Sequence, residues 1–358
     1  MVVVNGRFTR QPLTGVQRYA REMVRRLGPR VKVISPSRLA RGAAGHLWEQ
    51  LVLPSWAGAD LLWSPANTGP LRVCNQVVTI HDLAVLEHPE WFAPAFARWY
   101  AWLLPRLVRR VRRIITVSQF CAARLVDRLG VPDEAIEVIP NGVDARFRPQ
   151  PPEAVETVRR ALRLPERYVL YVGSLEPRKN LRVLLDAWRQ ASSRLADVWL
   201  VIAGGTYRAF RNPGFREFPP RTLLVGHVGD DNLPGLYSGA VCFVYPSLYE
   251  GFGLPVLEAM ACGVPVIASD IPALREVAGD AALLVPPIDA RTLATTVVSL
   301  AGSAERRAEL AERGLRRSRD YSWQGSAEST WQVLEELHAL AREKASPCAA
   351  SPEARPIR

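Results

Sequence analysis

Short runs rich in β-branched residues alternate along this chain with stretches whose apolar residues recur at helical spacing. That pattern belongs to an α/β protein built on parallel sheets. Val2–Val4, Val31–Ile34, Leu61–Trp63, Val77–Ile80 and Ile114–Val117 are the expected strands of a first half. Tyr168–Val172, Val198–Ala203, Leu223–Val225, Val241–Tyr245, Val266–Ala268 and Leu283–Val285 are those of a second. Between the first two strands, Val16, Ala20, Met23, Val24 and Leu27 share one helical face. Thr14 and Gln17 form a capping-box pattern at the start of that helix, and Gly28 ends it. Arg146-Phe-Arg-Pro-Gln-Pro-Pro-Glu is proline-rich and lacks periodicity, so it reads as a linker. The expected division is two doubly wound domains, 1–150 and 151–322, then a helix over 323–344 and a disordered Ala/Pro/Ser-rich tail, 345–358.

The length of 358 residues suits two domains, and 48% hydrophobic with 23% charged residues is a globular profile. Five scattered cysteines form no C-x-x-C pair, which speaks against a disulfide framework or a zinc site and for a reducing compartment. No signal peptide is legible at the start, and no apolar run approaches the ~20 residues of a membrane span. A cytoplasmic location is expected. The net charge of +11 admits an anionic partner. Lysine occurs only at positions 32, 179 and 344, however, and the resulting arginine skew also fits codon composition. No nucleic-acid-binding motif or aromatic–basic sheet pattern is present, so nucleic acid is not an expected partner.

Ligands of open parallel sheets bind beyond the carboxyl ends of the strands, and three motifs stand there. In Gly173-Ser-Leu-Glu-Pro-Arg-Lys-Asn-Leu181, Arg178 and Lys179 beside a helix start suit an anion such as a diphosphate. A solvated loop pair would look the same. In Tyr245-Pro-Ser-Leu-Tyr-Glu-Gly-Phe-Gly-Leu-Pro-Val-Leu-Glu258, Pro255 occupies the first-turn position that proline favours. The backbone N–H groups of Gly253 and Leu254 would point out of the helix start. Glu258 sits among Val256, Leu257, Ala259, Met260 and Ala261, where a buried carboxylate needs partners such as sugar hydroxyls. Its bland alternative is a favourable position near the helix dipole. Val256 stands where a third glycine of a dinucleotide fingerprint belongs, which discounts a nicotinamide site. The third motif is Thr79-Ile-His-Asp-Leu83, with His81 just beyond a strand.

Gly15 after the first strand, His81-Asp82, Gly173-x-x-x-Pro-Arg-Lys-Asn180 and Glu250-x7-Glu258 together resemble the retaining glycosyltransferases of family four. The similarity is strongest over 168–290 and points towards members that build bacterial surface polysaccharides. It implies the GT-B fold, two Rossmann-like domains facing across a cleft, with the acceptor on the first and a nucleotide-sugar donor on the second. It implies that Arg178 and Lys179 neutralise the diphosphate and that Gly15 lets the backbone approach the phosphate. Glu258 would hold the ribose hydroxyls and Glu250 those of the donor sugar, while His81 would meet the sugar near its 6-position. Phe252, Gly253 and Leu254 would offer backbone groups to phosphate and sugar, and Val228 would contact the base. GDP-mannose is the donor expected by analogy, with UDP-hexoses and dTDP-sugars open, and the acceptor would be a glycan or a lipid-linked saccharide. No cofactor is implied. There is no Asp-x-Asp pair to clip a divalent ion, so metal-independent transfer is expected. A GT-B epimerase or phosphorylase, or a basic nucleic-acid-binding protein, are the alternatives.

From Arg98 to Arg113 stand six arginines and no acid. At helical spacing, Arg106, Arg109, Arg110 and Arg113 fall on one face and Leu104, Leu107, Val108 and Val111 on another, with Trp91, Phe92, Trp99, Tyr100 and Trp102 nearby. Such a basic amphipathic helix suits binding to anionic lipid, at the inner face of the cell membrane. An ordinary domain helix with a solvated basic face carries the same pattern.

Overall fold

The computed structural model describes residues 1–37, 42–206, 209–210 and 217–345. The first half forms a six-stranded sheet from β1 (Val2–Asn5), β2 (Val31–Ile34), β3 (Leu61–Ser64), β4 (Gln76–Ile80), β5 (Arg113–Thr116) and β6 (Ile136–Val138), in the order β2-β1-β3-β4-β5-β6. The second holds β7 (Arg167–Val172), β8 (Val198–Ala203), β9 (Thr222–Gly226), β10 (Cys242–Tyr245), β11 (Val266–Ser269) and β12 (Ala282–Val285), ordered β12-β11-β10-β7-β8-β9. Every pairing is parallel. Helices cover both faces, which is why the central strands read as unbroken apolar runs rather than alternating ones. All eleven expected strands form within a residue or two of their expected bounds. β6 is the one that sequence reading missed, a half-buried edge strand with Glu137 at its centre and no apolar run to mark it.

The helix Gly15–Leu27 buries Tyr19, Ala20, Met23 and Leu27 on the first sheet. Gly28 ends it at φ 52°, a conformation glycine adopts without strain. Its capping box does not form. The Thr14 hydroxyl donates to the side-chain oxygen of Gln17 instead of accepting from the backbone, and the Gln17 amide donates to Gln11 Oε1 at 2.8 Å.

The proline-rich stretch after residue 145 is anchored rather than loose. Phe147 is buried in the second half's core, and a helix begins at Pro152. Just before it, Val143 bridges in parallel to Ser322, so the two segments that cross between the halves run side by side. A Cβ at Gly142 would lie 1.9 Å from the Trp323 nitrogen, so only glycine permits that approach. The closing helix, Trp323–Ala345, returns to the first half, where Trp323, Ala327, Leu334 and Leu337 pack with Tyr19, Met23 and Trp63. Full burial of each large side chain contributes roughly 1.5–3 kcal/mol. Residues 346–358, nearly all of the expected disordered tail, lie outside the described residues.

The basic helix is shorter than its spacing suggests. It spans Pro94–Val108, so Arg109 and Arg110 fall in the turn beyond it and Arg113 is in β5. Leu104, Leu107 and Val108 are buried in the first half's core. The chain must leave the helix there to enter β5 beside β4, and sheet pairing overrides the helical period.

Candidate active site

The strand order of the second sheet builds the crevice. From β7 the chain winds outward through β8 and β9, then returns to the other side of β7 at β10. The loops leaving β7 and β10 therefore diverge, and a ligand site opens between them. Residues 173–180 and 246–253 are those loops. They are laced together: Leu248 N donates to Arg178 O at 2.9 Å, and Asn180 Nδ2 to Pro246 O at 3.1 Å. Asn180 itself sits at φ 52°, a left-handed conformation that asparagine tolerates better than most residues.

Lys179 and Glu250 meet here, 71 positions apart in sequence. The Lys179 ammonium donates to Glu250 Oε1 at 2.6 Å and to the Tyr245 hydroxyl at 2.5 Å, and all three side chains are buried. Arg178 presents Nε and Nη2 to Glu176 Oε1 at 3.1 and 2.8 Å, while Nη1 lies 3.5 Å from Glu250 Oε2 and 3.6 Å from Asp82 Oδ2. Burial pushes the Glu250 carboxyl up, but Lys179 and Arg178 outweigh it and hold the group below its ordinary value. Burial likewise works against the Arg178 cation and is overcome by Glu176, Glu250 and Asp82. Lys179 is lowered by burial and by Arg178, with Glu250 opposing.

Gly253, at φ 109°, is the N-cap of the helix Leu254–Ala261, and a Cβ there would strike Leu274 at 2.5 Å. Pro255 has no N–H, and Val256 and Leu257 already donate to Gly253 O at 3.0 and 3.4 Å, so the helix start offers a ligand the N–H groups of Gly253 and Leu254. Glu258, one turn in, is buried and accepts a hydrogen bond from the Tyr237 hydroxyl at 3.1 Å. Burial raises its carboxyl to about 7, against the pull of Arg18 and Tyr237.

The first half supplies the opposite wall. Gly15, at the start of its own helix, stands 3.7 Å (measured to an added Cβ) from Leu254, so two helix N-termini converge. His81 Nε2 lies 2.9 Å from the carbonyl of Pro65. A carbonyl only accepts, so Nε2 carries the proton and Nδ1 is left as the ring's acceptor. Burial lowers the His81 pKa, which favours the neutral ring. The halves meet closely at Gly251, where an added Cβ would sit 1.9 Å from His81 O. Ser118 Oγ donates to Gly251 O at 2.7 Å, and Glu276 accepts from the backbone of Gln119 and Phe120 at 2.9 and 3.3 Å.

The structure thus gathers Gly15, His81, Arg178, Lys179, Glu250, Gly253, Leu254 and Glu258 around one cleft. It differs from the sequence reading in two respects. Arg178 and Lys179 are not free cations, since carboxylates already partner both. The side chain of Val228 is buried in the core, leaving only its backbone for a ligand. Glu176 and Asp82 stood inside the quoted motifs without a role. Arg18, Tyr237 and Asp230 carried no signal.

Residues 155–317 match the family described as Glycosyl transferases group 1, and residues 53–147 match Glycosyltransferase Family 4. The chain is 30% identical to the O-antigen chain mannosyltransferase B of Escherichia coli, over 89% of this chain and 95% of that protein. It is 32% identical to a mannosyltransferase of Mycolicibacterium hassiacum, described as MMP alpha-(1->4)-mannosyltransferase, over 77% of this chain and 69% of that one. Among solved structures it resembles the sucrose-phosphate synthase of Thermosynechococcus elongatus, with a TM-score of 0.74 and 22% identity over 95% of this chain and 99% of that one, a likeness of GT-B fold. With two such sheets, the converging motifs and these relatives, the chain belongs to the family 4 glycosyltransferases.

Proposed function

We propose that this enzyme moves a mannosyl group from GDP-mannose to a growing surface polysaccharide or its lipid-linked precursor, with retention of configuration. One observation carries the reading: Lys179, Arg178 and Glu250 are locked together at the topological switch point, facing His81 and the mouth of the 254–261 helix. The names of the mannosyltransferase relatives support the sugar. In this arrangement the diphosphate lies on the helix mouth with Arg178 and Lys179, which stabilise the charge that grows on the leaving group. Glu250 accepts from the donor sugar's hydroxyls, Nδ1 of His81 from the one near its 6-position, and Glu258 from the ribose. The acceptor hydroxyl attacks from the leaving-group side and gives its proton to a phosphate oxygen.

A thermal-shift panel of GDP, UDP, dTDP and ADP tests the donor, and a transfer assay with and without excess EDTA tests the metal. GDP at 100 times its Kd is expected to add about 2.7 kcal/mol of stability. Transfer is expected to persist in the chelator. A larger shift with another nucleotide replaces the donor, and activity lost in EDTA but restored by magnesium or manganese removes the role given to Arg178 and Lys179. Sugar phosphate released in the presence of inorganic phosphate would favour a phosphorylase.

For the acceptor we infer an anionic membrane surface at the cytoplasmic face. No helix among the described residues is long and apolar enough to cross a bilayer. The apolar side of the 94–108 helix is used up by the core, so contact falls to another surface. Trp102 is exposed, with the Arg106 guanidinium 4.9 Å over its ring, and it stacks on Trp99, which donates to His46. Leu47, Leu51 and Trp56 are exposed on the neighbouring helices Ala43–Leu51 and Leu53–Ala57. Exposed tryptophan and leucine flanked by arginine match an anionic interface. In liposome sedimentation, pelleting is expected with anionic vesicles and is expected to fall in the double variant Trp102→Ser/Leu51→Ser. Equal pelleting with neutral vesicles, or none, sinks the idea.

A further inference from the structure

Arg18 lies in the first turns of the 15–27 helix, on the half opposite the donor loops, and its side chain is largely covered. Its Nη2 donates to Asp230 Oδ1 at 2.6 Å, across 212 positions of sequence. Asp230 belongs to the loop after β9, beside Val228 on the proposed base side. The same guanidinium is the charge that most favours ionised Glu258. Arg18 therefore binds one carboxylate of the other half directly, beside the proposed base site, and acts through its charge on a second, at the proposed ribose site.

We propose that Arg18 is a positioning residue for the donor: supplied by the acceptor-side half, it reaches across to Asp230, closes the cleft over the nucleoside and keeps Glu258 able to accept from the ribose hydroxyls. This rests on the donor-site reading given above. A carboxylate takes two hydroxyl donors only when ionised, because the protonated form gives up part of its acceptor capacity. Glu258 is buried deeply enough that, without a cation, it would favour the neutral form. The cation comes from the other half, so the ribose site is complete only when the halves are together. The surroundings of Glu258 fit this assignment. It is faced by Arg18 from the 15–27 helix, Asp230 and Asp144 from two loops, Tyr237 from the 233–238 helix and Cys262 from the end of its own helix. Arg18 is the cation that acts on Glu258 itself, while Arg146 stands behind the two aspartates, 3.2 Å from Asp144.

The test is GDP titration calorimetry between pH 6 and 9, with UDP in parallel, on wild type, Arg18→Ala, Arg18→Lys and Asp230→Asn. Wild-type affinity is expected to rise through about pH 7, where Glu258 ionises. Arg18→Ala should move that midpoint up and weaken GDP several-fold at pH 7, with the gap closing at high pH. Arg18→Lys should restore the midpoint in part. Asp230→Asn removes a negative charge from beside Glu258 and should move the midpoint down. Opposite shifts from two variants that break the same ion pair are the signature of the proposal. A plain structural clasp would weaken binding equally at every pH in both variants, and that result overturns it, as do unshifted midpoints. Titration of the nucleotide's own phosphate is common to all four proteins and cancels. If wild type binds neither nucleotide, the donor-site reading fails instead.

Discussion

Glu250→Gln is expected to lower kcat by about 10²–10³ while leaving the affinity for free GDP within a few-fold of wild type. Positive character grows on the donor sugar as its bond to phosphate breaks, and Glu250 is the ionised carboxylate proposed to face it. An interaction that strengthens only in the transition state appears in turnover rather than in binding. Glutamine is the better probe than alanine. It keeps an oxygen that can accept from Lys179, which donates to Glu250 at 2.6 Å. Like alanine, it leaves the buried ammonium without its counter-charge, a loss that typically costs about 3–5 kcal/mol, so folding is checked by melting first. Glu258→Gln should behave in the opposite way. Glu258 is proposed to meet ribose alike in ground and transition states, so its loss should weaken GDP by roughly 10- to 150-fold, the value of a charged hydrogen bond, with little change in kcat. Steady-state kinetics and GDP calorimetry on the two variants decide the matter. Reversed phenotypes exchange the roles, and near-wild-type turnover in both removes the pair from catalysis.

Glu258 also carries a signed stability effect. Burial raises its pKa to about 7, so the folded state prefers the proton. That contribution is full below the ordinary carboxylate range near 4.5 and is lost as pH rises through about 7. Above pH 8, Glu258→Gln should therefore be more stable than wild type, by up to about 3 kcal/mol.

Gly251→Ala is expected to reduce transfer by about 10²-fold or more, through the fit of the two halves rather than through any lost functional group. Its added Cβ would stand 1.9 Å from His81 O, and the neighbouring contact is to the Cβ of Asp82 at 3.1 Å. Backbone on one side and a side-chain root on the other leave nothing flexible to yield. The halves must part by about 1 Å, a displacement that by itself can cost about 10²-fold. It would also weaken the bond from Ser118 to Gly251 O and draw His81 away from the proposed sugar site. Both sheets keep their cores, so the melting temperature should change less than activity does. Wild-type kcat/KM in Gly251→Ala would mean that the closed contact at His81 is not the reactive arrangement.

Both sheets were legible because their signal is local. Unbroken β-branched runs such as Val198–Ala203, and helical faces such as Ala20, Met23 and Leu27, state which side of an element is buried without reference to the rest of the chain. Where the local signal is weak or overruled, the reading failed for identifiable reasons. β6 has only a half-buried Ile136 and Val138 around Glu137. The arginine face of the 94–108 helix broke at Val108 because β5 had to pair with β4.

Much of the candidate site was legible too, as residue types: the Arg178–Lys179 pair, the Gly253 turn, and Glu250 and Glu258 on either side of it. Their spacing marks a loop and the mouth of a helix, which are local objects. Their partners were not legible. Lys179 meets Glu250 because β10 returns beside β7, Arg178 meets Asp82 because the halves close, and Arg18 finds Asp230 across 212 positions for the same reason. Periodicity records burial one element at a time. Which charges face one another depends on strand order and on the closing of the cleft, and these arise only when elements distant in sequence pack together.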